Sequence, residues 1–158
     1  MDDWQRQVDE VWARADALGA QGVTDAMDAL AESAPDPALA AFERAGARDS
    51  AGLESDAEPL YREALRLGLP DAERAQCTIQ LASTLRNLGR AEESLELLAT
   101  IPPEHEYAGA AAAFRALALV SLGRTPEAVR ELLHALAPTL PRYQRSVRAY
   151  ADDLSSLT

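Results

Sequence analysis

The chain has 158 residues, one cysteine and a formal net charge of −11. A phosphate backbone repels a protein with this charge, and the single Cys77 excludes an intrachain disulfide or a thiolate metal cluster. No stretch approaches the roughly 18 apolar residues of a membrane span, so we expect a protein of a reducing cytoplasm with no nucleic-acid or membrane partner.

The N-terminal segment, residues 1–34, predicts two helices. Apolar residues at spacings of three and four indicate a first helix over residues 3–18. Thr24 is the predicted N-cap of a second helix that ends near Ser33, after which a Pro-Asp-Pro sequence breaks the chain. Neither helix is long enough to be stable alone, so we expect the segment to pack on the rest of the chain.

The middle of the chain repeats a short pattern. Leu88-Gly89-Arg90 and Leu122-Gly123-Arg124 recur after 34 residues, and each is followed by an acidic residue and an apolar helical stretch. Gly52 marks a looser version of the same turn. Helix-turn-helix units at this period are typical of helical solenoids. We therefore predict three repeats within residues 36–141, at about 37–70, 71–103 and 104–140.

The second helix of each repeat carries a small residue, a larger residue four positions later, and a third residue three positions after that. These spacings place all three on one helical face, where the small residues let a neighbouring helix approach and the large one fills the gap. The positions are Ala57, Tyr61 and Ala64 in repeat one, Ser94, Leu98 and Ile101 in repeat two, and Ala128, Leu132 and Ala135 in repeat three.

With these features the chain resembles the tetratricopeptide repeat superfamily, in particular small bacterial members with about three repeats and terminal helices. The resemblance covers about residues 36–155. It implies an all-α fold, an α-solenoid of antiparallel helix pairs with N-terminal helices and a C-terminal capping helix at 141–155. Repeat one departs most from the family pattern, since Arg48 stands where tyrosine is usual.

The resemblance implies a protein-protein interaction module that binds a peptide or protein partner on its concave surface, with no catalysis. The best-known sites of the family grip a chaperone's C-terminal carboxylates with Lys and Asn. This chain has no Lys and no matching Asn set, which argues against that partner class. Carried over by register, the partner-binding positions are Gln76, Ile79, Ser83, Arg86 and Asn87 in repeat two, and Ala110, Ala113, Leu117, Val120 and Ser121 in repeat three.

The predicted stripe on the first helix of repeat three is apolar. An apolar groove left in water marks a surface that something covers. Three coverings stay open, namely the chain's own N-terminal helices, a second copy in a homodimer, or a client. The second of these gives an alternative function, a self-associating structural protein whose groove is filled in a homodimer.

The last predicted helix has two different sides. One side is a possible dimer interface and the other is a ridge of arginines. The ridge is either a solvated face or a surface that meets acids such as Asp9, Glu10 and Asp16 of another subunit, because residues 1–36 carry a net charge of −7 and residues 108–150 carry +4. The interface side carries Tyr143, Val147, Tyr150 and Leu154, and the ridge carries Arg142, Arg145 and Arg148.

The sequence offers little for catalysis, metal binding or a cofactor, and we predict none of these. His105 lies between two acids in a turn but has no second histidine at ligand spacing, and His134 and Cys77 lie on helices as packing residues. A small hydrolase or metal enzyme is the remaining alternative, which would need polar residues converging in a pocket. All fifteen basic residues are arginine, which points to a bacterial source.

Overall fold

The computed structural model describes residues 3–154, which contain α-helices and one short 3-10 helix but no strand. The chain divides into two compact units, Met1–Thr84 and Leu85–Thr158, here called the N-terminal and C-terminal units. The helices of the N-terminal unit are α1 (Asp3–Ala13), α2 (Ala15–Ala31), α3 (Pro37–Ser50), α4 (Glu54–Leu67) and α5 (Asp71–Asn87), whose last residues enter the C-terminal unit.

The N-terminal helices differ from their prediction. The helix predicted over residues 3–18 is interrupted at Arg14, where φ is −107° and ψ is 11°, and it ends as expected before Gly19, whose φ of 68° breaks α2. Thr24 is not an N-cap but lies inside α2, and its hydroxyl donates to the carbonyl of Ala20 at 3.1 Å. The break at Gly19 turns the chain back, so that α1 packs against the second half of α2 and the Trp4 indole N–H donates to the Leu30 carbonyl at 2.9 Å. The resulting core cluster contains Trp4 and Val8 of α1, Val23 and Met27 of α2, and Ala47 of α3.

An ion pair joins α2 to α3. Asp28 accepts hydrogen bonds from Arg44 at 2.7 Å and from Arg48 at 2.9 Å, and these guanidinium groups hold the pKa of the Asp28 carboxyl below its usual value. Arg48 is the residue that replaces the family's usual tyrosine. Repeat one therefore departs from the family pattern at a residue that contacts α2.

The three glycine turns share one hydrogen-bond pattern. Gly52, Gly89 and Gly123 have φ of 73°, 80° and 75°, a left-handed conformation that only glycine adopts without strain. In each turn the residue after the glycine donates its N–H to the carbonyl five residues earlier, at 2.9 Å. The chain therefore makes the same helix-to-helix turn three times, including the looser sequence at Gly52.

The C-terminal unit contains α6 (Ala91–Leu98), α7 (Ala108–Ser121), α8 (Thr125–Leu136), a 3-10 turn (Ala137–Thr139) and α9 (Gln144–Asp153). The prediction for Ile101 is wrong, because α6 ends at Leu98 and Ile101 lies beyond it. Pro102 disfavours helical backbone at the residue before it. The helix predicted over 141–155 is shorter than expected, because α9 begins at Gln144 and ends at Asp153. Ser155 lies outside the described residues.

Candidate partner-binding surface

The first helix of repeat three presents the predicted apolar stripe to solvent. Leu117 is 45% exposed and Val120 is 51% exposed, and Ala113 lies one turn before them on the same side of α7. The opposite side of α7 is fixed to α8, since Ala116 and Leu119 form a core cluster with Ala128. Two bonds from Arg115 to Glu131, at 2.9 and 2.8 Å, add a bidentate ion pair, which raises the pKa of the Arg115 guanidinium. The stripe is therefore held on a rigid helix.

The corresponding positions on α5 are more polar and less accessible. Gln76 and Ser83 are partly exposed, whereas Ile79 is only 6% exposed and offers a partner little surface. Beyond them, Asn87 is exposed, and Arg86 donates to its side-chain oxygen at 2.9 Å.

A polar network in the N-terminal unit was not predicted from the sequence. The Trp12 indole N–H donates to Oε2 of Glu43 at 2.8 Å, which ties α1 to α3. The Tyr61 hydroxyl donates to Oε1 of Gln80 at 2.8 Å and lies 3.3 Å from Oδ2 of Asp49. The signal in the sequence is the pair of acids, Glu43 and Asp49, on a helix of mostly small residues.

The surroundings of both acids of this network disfavour the charged form of the carboxyl group. Burial raises the pKa of Glu43 and of Asp49 above their usual values, and the neighbouring charges of Asp9 and Glu54 raise them further. The hydrogen bond from Trp12 partly offsets this effect at Glu43. These contacts tie α1 to α3, and α4 to α3 and α5, and burial holds the pKa of both carboxyl groups above the ordinary range.

The second helix of repeat three differs from its equivalents in repeats one and two. Tyr61 and Leu98, the large residues of the predicted face, are 0% and 1% exposed, as expected. Leu132 occupies the same position in repeat three but is 44% exposed, so the prediction that it fills a packed gap is wrong. Val129 and Leu136 are also exposed on the same side of α8. No first helix of a further repeat lies over this face in the described residues.

The last helix divides its predicted interface residues between two environments. Val147 and Leu154 are partly buried and accompany the fully buried Ala151, whereas Tyr143 and Tyr150 are exposed. Arg145 and Arg148 are exposed, which fits both interpretations of the arginine ridge, and the guanidinium carbon of Arg142 lies 5.7 Å from the centre of the Tyr143 ring. The helix contacts α8 through Asp152, whose Oδ1 accepts from Nε2 of His134 at 2.9 Å and lies 3.8 Å from Nε of Arg130.

The reactive side chains take part in structural contacts. Burial raises the pKa of Cys77 to about 12, so its thiol stays protonated at neutral pH. Nδ1 of His105 accepts a hydrogen bond from the Tyr107 backbone at 3.1 Å. A cavity of about 490 Å³ in the C-terminal unit is lined by Arg130, Glu131 and His134. Arg130 forms an ion pair with Asp152, Glu131 forms one with Arg115, and His134 is hydrogen-bonded to Asp152.

Residues 3–154 contain neither a recognisable metal site nor a membrane-spanning helix. No three His, Cys, Asp or Glu side chains in this range come together in a way that could hold a metal ion. None of the helices in the same range is both long enough and apolar enough to cross a bilayer.

A solved structure matches the fold of nearly the whole chain. It is the crystal structure of a Podosopora anserina protein described as a kinesin light chain with nearly identical tetratricopeptide-like repeats. The two sequences are 19% identical, and the match covers 99% of this chain and 90% of that chain with a TM-score of 0.71. At this identity the likeness shows the fold alone, and it confirms the predicted all-α, tetratricopeptide-like repeat architecture.

The sequence comparisons give the family. A search of curated proteins finds no match to this chain. The family model described as "Tetratrico peptide repeat" matches residues 38–154, about three quarters of the chain. The match contains all three glycine turns and ends at the last residue that the structure describes. The chain therefore belongs to the tetratricopeptide repeat family.

Proposed function

We propose that the chain is an interaction module that binds a peptide or protein partner along the first helices of its repeats and catalyses no reaction. Tetratricopeptide repeat proteins generally mediate protein-protein interaction and typically act as non-catalytic scaffolds. The proposal includes a cytoplasmic setting in a bacterium, which the lone buried Cys77 and the lysine-free composition support. Its partner-binding positions are those expected from the sequence, Gln76, Ile79, Ser83, Arg86, Asn87, Ala113, Leu117 and Val120.

The exposed stripe on α7 carries the proposal. Leu117 and Val120 leave about half of their surface in water on a helix whose other side is fixed by packing and by the Arg115 ion pair. A partner that covers apolar surface gains roughly 25 cal/mol for each Å² removed from water. Because the helix is already ordered, little of this gain is lost to ordering the binding surface. Ala113 leaves space beside them for a partner's side chain.

A peptide-display selection with the purified full chain tests this proposal, because it needs no candidate partner. Selected peptides are remade and their dissociation constants measured for the wild type, for Leu117→Glu/Val120→Glu and for Leu53→Glu. The last variant is a matched control, because Leu53 is a leucine with 44% exposure that lies in the turn before α4.

We expect the α7 double variant to weaken binding by at least about ten-fold, which corresponds to about 1.4 kcal/mol, and the control to leave it unchanged. If the selection yields no specific peptide, or if the peptides bind the double variant as tightly as the wild type, the proposed site is wrong.

The homodimer remains the alternative function, and the exposed Tyr143 and Tyr150 are the observation that favours it. Two large aromatic rings in water, one at the N-cap of a short helix and one within that helix, are suited to an interface with a second copy. Light-scattering mass of the full chain and of Tyr143→Ala/Tyr150→Ala decides this point. A dimer that the double variant turns into a monomer supports the alternative, and a monomer in both cases rejects it.

A further inference from the structure

One kind of cavity occurs in two repeats. In the C-terminal unit, the cavity of about 490 Å³ lies between the first half of α7 and the second half of α8. In the N-terminal unit, a cavity of about 340 Å³ lies between the first half of α3 and the second half of α4. Three pairs of lining residues stand at equal distances in sequence from the turn glycine of their own repeat, namely Pro37 and Ala108, Ala41 and Ala112, and Leu67 and Pro138. The repeat fold therefore makes this cavity twice.

The two cavities differ at two positions of the second helix. Repeat three carries Arg130 and His134 at these positions, and both residues line its cavity. The corresponding residues of repeat one are Pro59 and Glu63. Because repeat one forms its cavity without a basic residue at either position, the fold itself does not require Arg130 or His134. Their presence is a property of the third repeat.

Arg130 keeps hydrogen-bonding capacity that the rest of the chain does not use. Asp152 of α9 accepts a hydrogen bond from His134 at 2.9 Å, whereas Nε of Arg130 lies 3.8 Å from the same oxygen, which is beyond hydrogen-bond distance. No residue within 3–154 accepts a hydrogen bond from the terminal nitrogens of Arg130, and 46% of its side chain is exposed. A ligand in the cavity therefore meets a guanidinium group whose paired N–H donors are free.

The remaining wall is apolar apart from one neutralised acid. Glu131 lies in the wall, but Arg115 donates to both of its carboxylate oxygens. A second cavity of about 240 Å³ shares part of this wall, and it adds Leu98 and Ile101 on the side away from Arg130. We call the two cavities together the third-repeat groove. Its small and apolar residues outside α6 and its loop are Ala108, Gly109, Ala111, Ala112, Ala135 and Pro138.

We propose that the third-repeat groove binds a small carboxylic acid with an aliphatic tail. A guanidinium group and a carboxylate form two parallel hydrogen bonds, which gives Arg130 a partner of matching shape and charge. The tail then lies over the alanines towards Leu98, where each methylene removed from water adds affinity. A single negative charge fits best, because Arg115 is already neutralised by Glu131. This inference goes beyond the proposed function, since the ligand is a small molecule and not a peptide.

Calorimetric titration of the full-length chain tests the inference with ligands that differ in one feature each. Octanoate, octanamide and octylammonium share a tail and differ in the head group, and butanoate shortens the tail. Arg130→Gln removes the charge of the proposed anchor. The matched control is Arg124→Gln, because the Arg124 side chain is 47% exposed and lies outside the groove in an ion pair with Glu127. Gly109→Leu fills the groove, since a Cβ at this lining residue meets open space.

We expect octanoate to bind at least about ten-fold more tightly than each of the other three ligands. Arg130→Gln and Gly109→Leu should each weaken octanoate binding by at least about ten-fold, and Arg124→Gln should leave it unchanged. Gly109 lies inside α7, where leucine is a better helix former than glycine, so the filled variant should unfold in urea no earlier than the wild type.

Several results overturn the inference, and they separate it from the proposed function. They include no octanoate binding, equal binding of octylammonium, and equal octanoate affinity in Arg130→Gln and the wild type. If Leu117→Glu/Val120→Glu abolishes octanoate binding while Gly109→Leu retains it, the acid lies on the α7 stripe and the groove is not its site. If a peptide selected by display displaces octanoate, the groove belongs to the peptide site. Octanoate binding that persists in a chain without peptide binding supports the inference although the proposed function fails.

Discussion

The bond between Trp12 and Glu43 offers a quantitative test of how α1 is held on α3. Glu43 is a buried carboxylate whose hydrogen-bond donor is the Trp12 indole, 2.8 Å away. Trp12→Phe keeps an aromatic ring in place but removes the N–H group. A hydrogen bond to a charged group contributes about 1.5–3 kcal/mol. We therefore expect Trp12→Phe to lower the free energy of unfolding by about 2 kcal/mol at neutral pH.

The pH dependence of this effect has a definite sign. Burial raises the folded-state pKa of Glu43 above the ordinary value of 4.5. The folded state therefore holds the proton more tightly, and this contribution to stability is fully present below the unfolded pKa and lost as pH rises through the folded pKa. Glu43→Gln keeps an acceptor for Trp12 but cannot titrate. Its stability should gain on the wild type as pH rises from about 4 to about 7.

A double-mutant cycle separates the bond from the packing of the ring. Urea unfolding is followed by far-UV circular dichroism for the wild type, Trp12→Phe, Glu43→Gln and the double variant, at about pH 4 and pH 7. We expect a coupling of about 1 kcal/mol between the two positions at neutral pH, and less in acid. If Trp12→Phe costs the same with Glu43 as with glutamine, and the same at both pH values, the indole acts by packing alone and the electrostatic reasoning is refuted.

Three further predictions use other contacts. Gly89→Ala forces a residue with a side chain to adopt φ of 80° and should lower the free energy of unfolding by about 1–2 kcal/mol. Gly109 lies inside α7 with open space where a Cβ would be, so Gly109→Ala should raise the free energy of unfolding by about 0.5–1 kcal/mol. Urea unfolding measures both changes. Cys77 should not react with a thiol reagent at pH 8 until urea unfolds the chain, because burial raises its pKa to about 12. Arg48→Met should lower the free energy of unfolding by about 1 kcal/mol at low salt. Because the pKa of Asp28 is then no longer held as low, the variant should lose less stability than the wild type when urea unfolding is repeated in acid.

The turns and the second-helix face of repeat one were predictable because they depend on residues close in sequence. The glycines at Gly52, Gly89 and Gly123 need a left-handed conformation whatever surrounds them. The spacing of Ala57, Tyr61 and Ala64 fixes a common face as soon as the segment is helical, and all three side chains are fully buried. Local periodicity is sufficient for both.

The break at Arg14 and the polar network have no signal in the neighbouring sequence. The apolar spacing of residues 3–18 continues through Arg14, so nothing local marks that interruption, whereas the reversal at Gly19 is marked by the glycine itself. Glu43 and Gln80 look like solvated helix residues until Trp12 and Tyr61 are placed beside them. Part of the partner-binding register has the same weakness. Leu117 and Val120 are exposed as expected, whereas Ile79 is buried.

Equivalent positions in a repeat protein need not have equivalent environments. A large second-helix residue is buried by the helix that follows its own repeat, so its exposure is decided by the next repeat and not by its own sequence. Tyr61 and Leu98 have such a neighbour, and Leu132 does not, although all three satisfy the same pattern. The pattern therefore predicts where a large residue stands but not whether a partner can reach it. In this chain that difference leaves Leu132 exposed on α8, the second helix of the last repeat, where a partner can reach it.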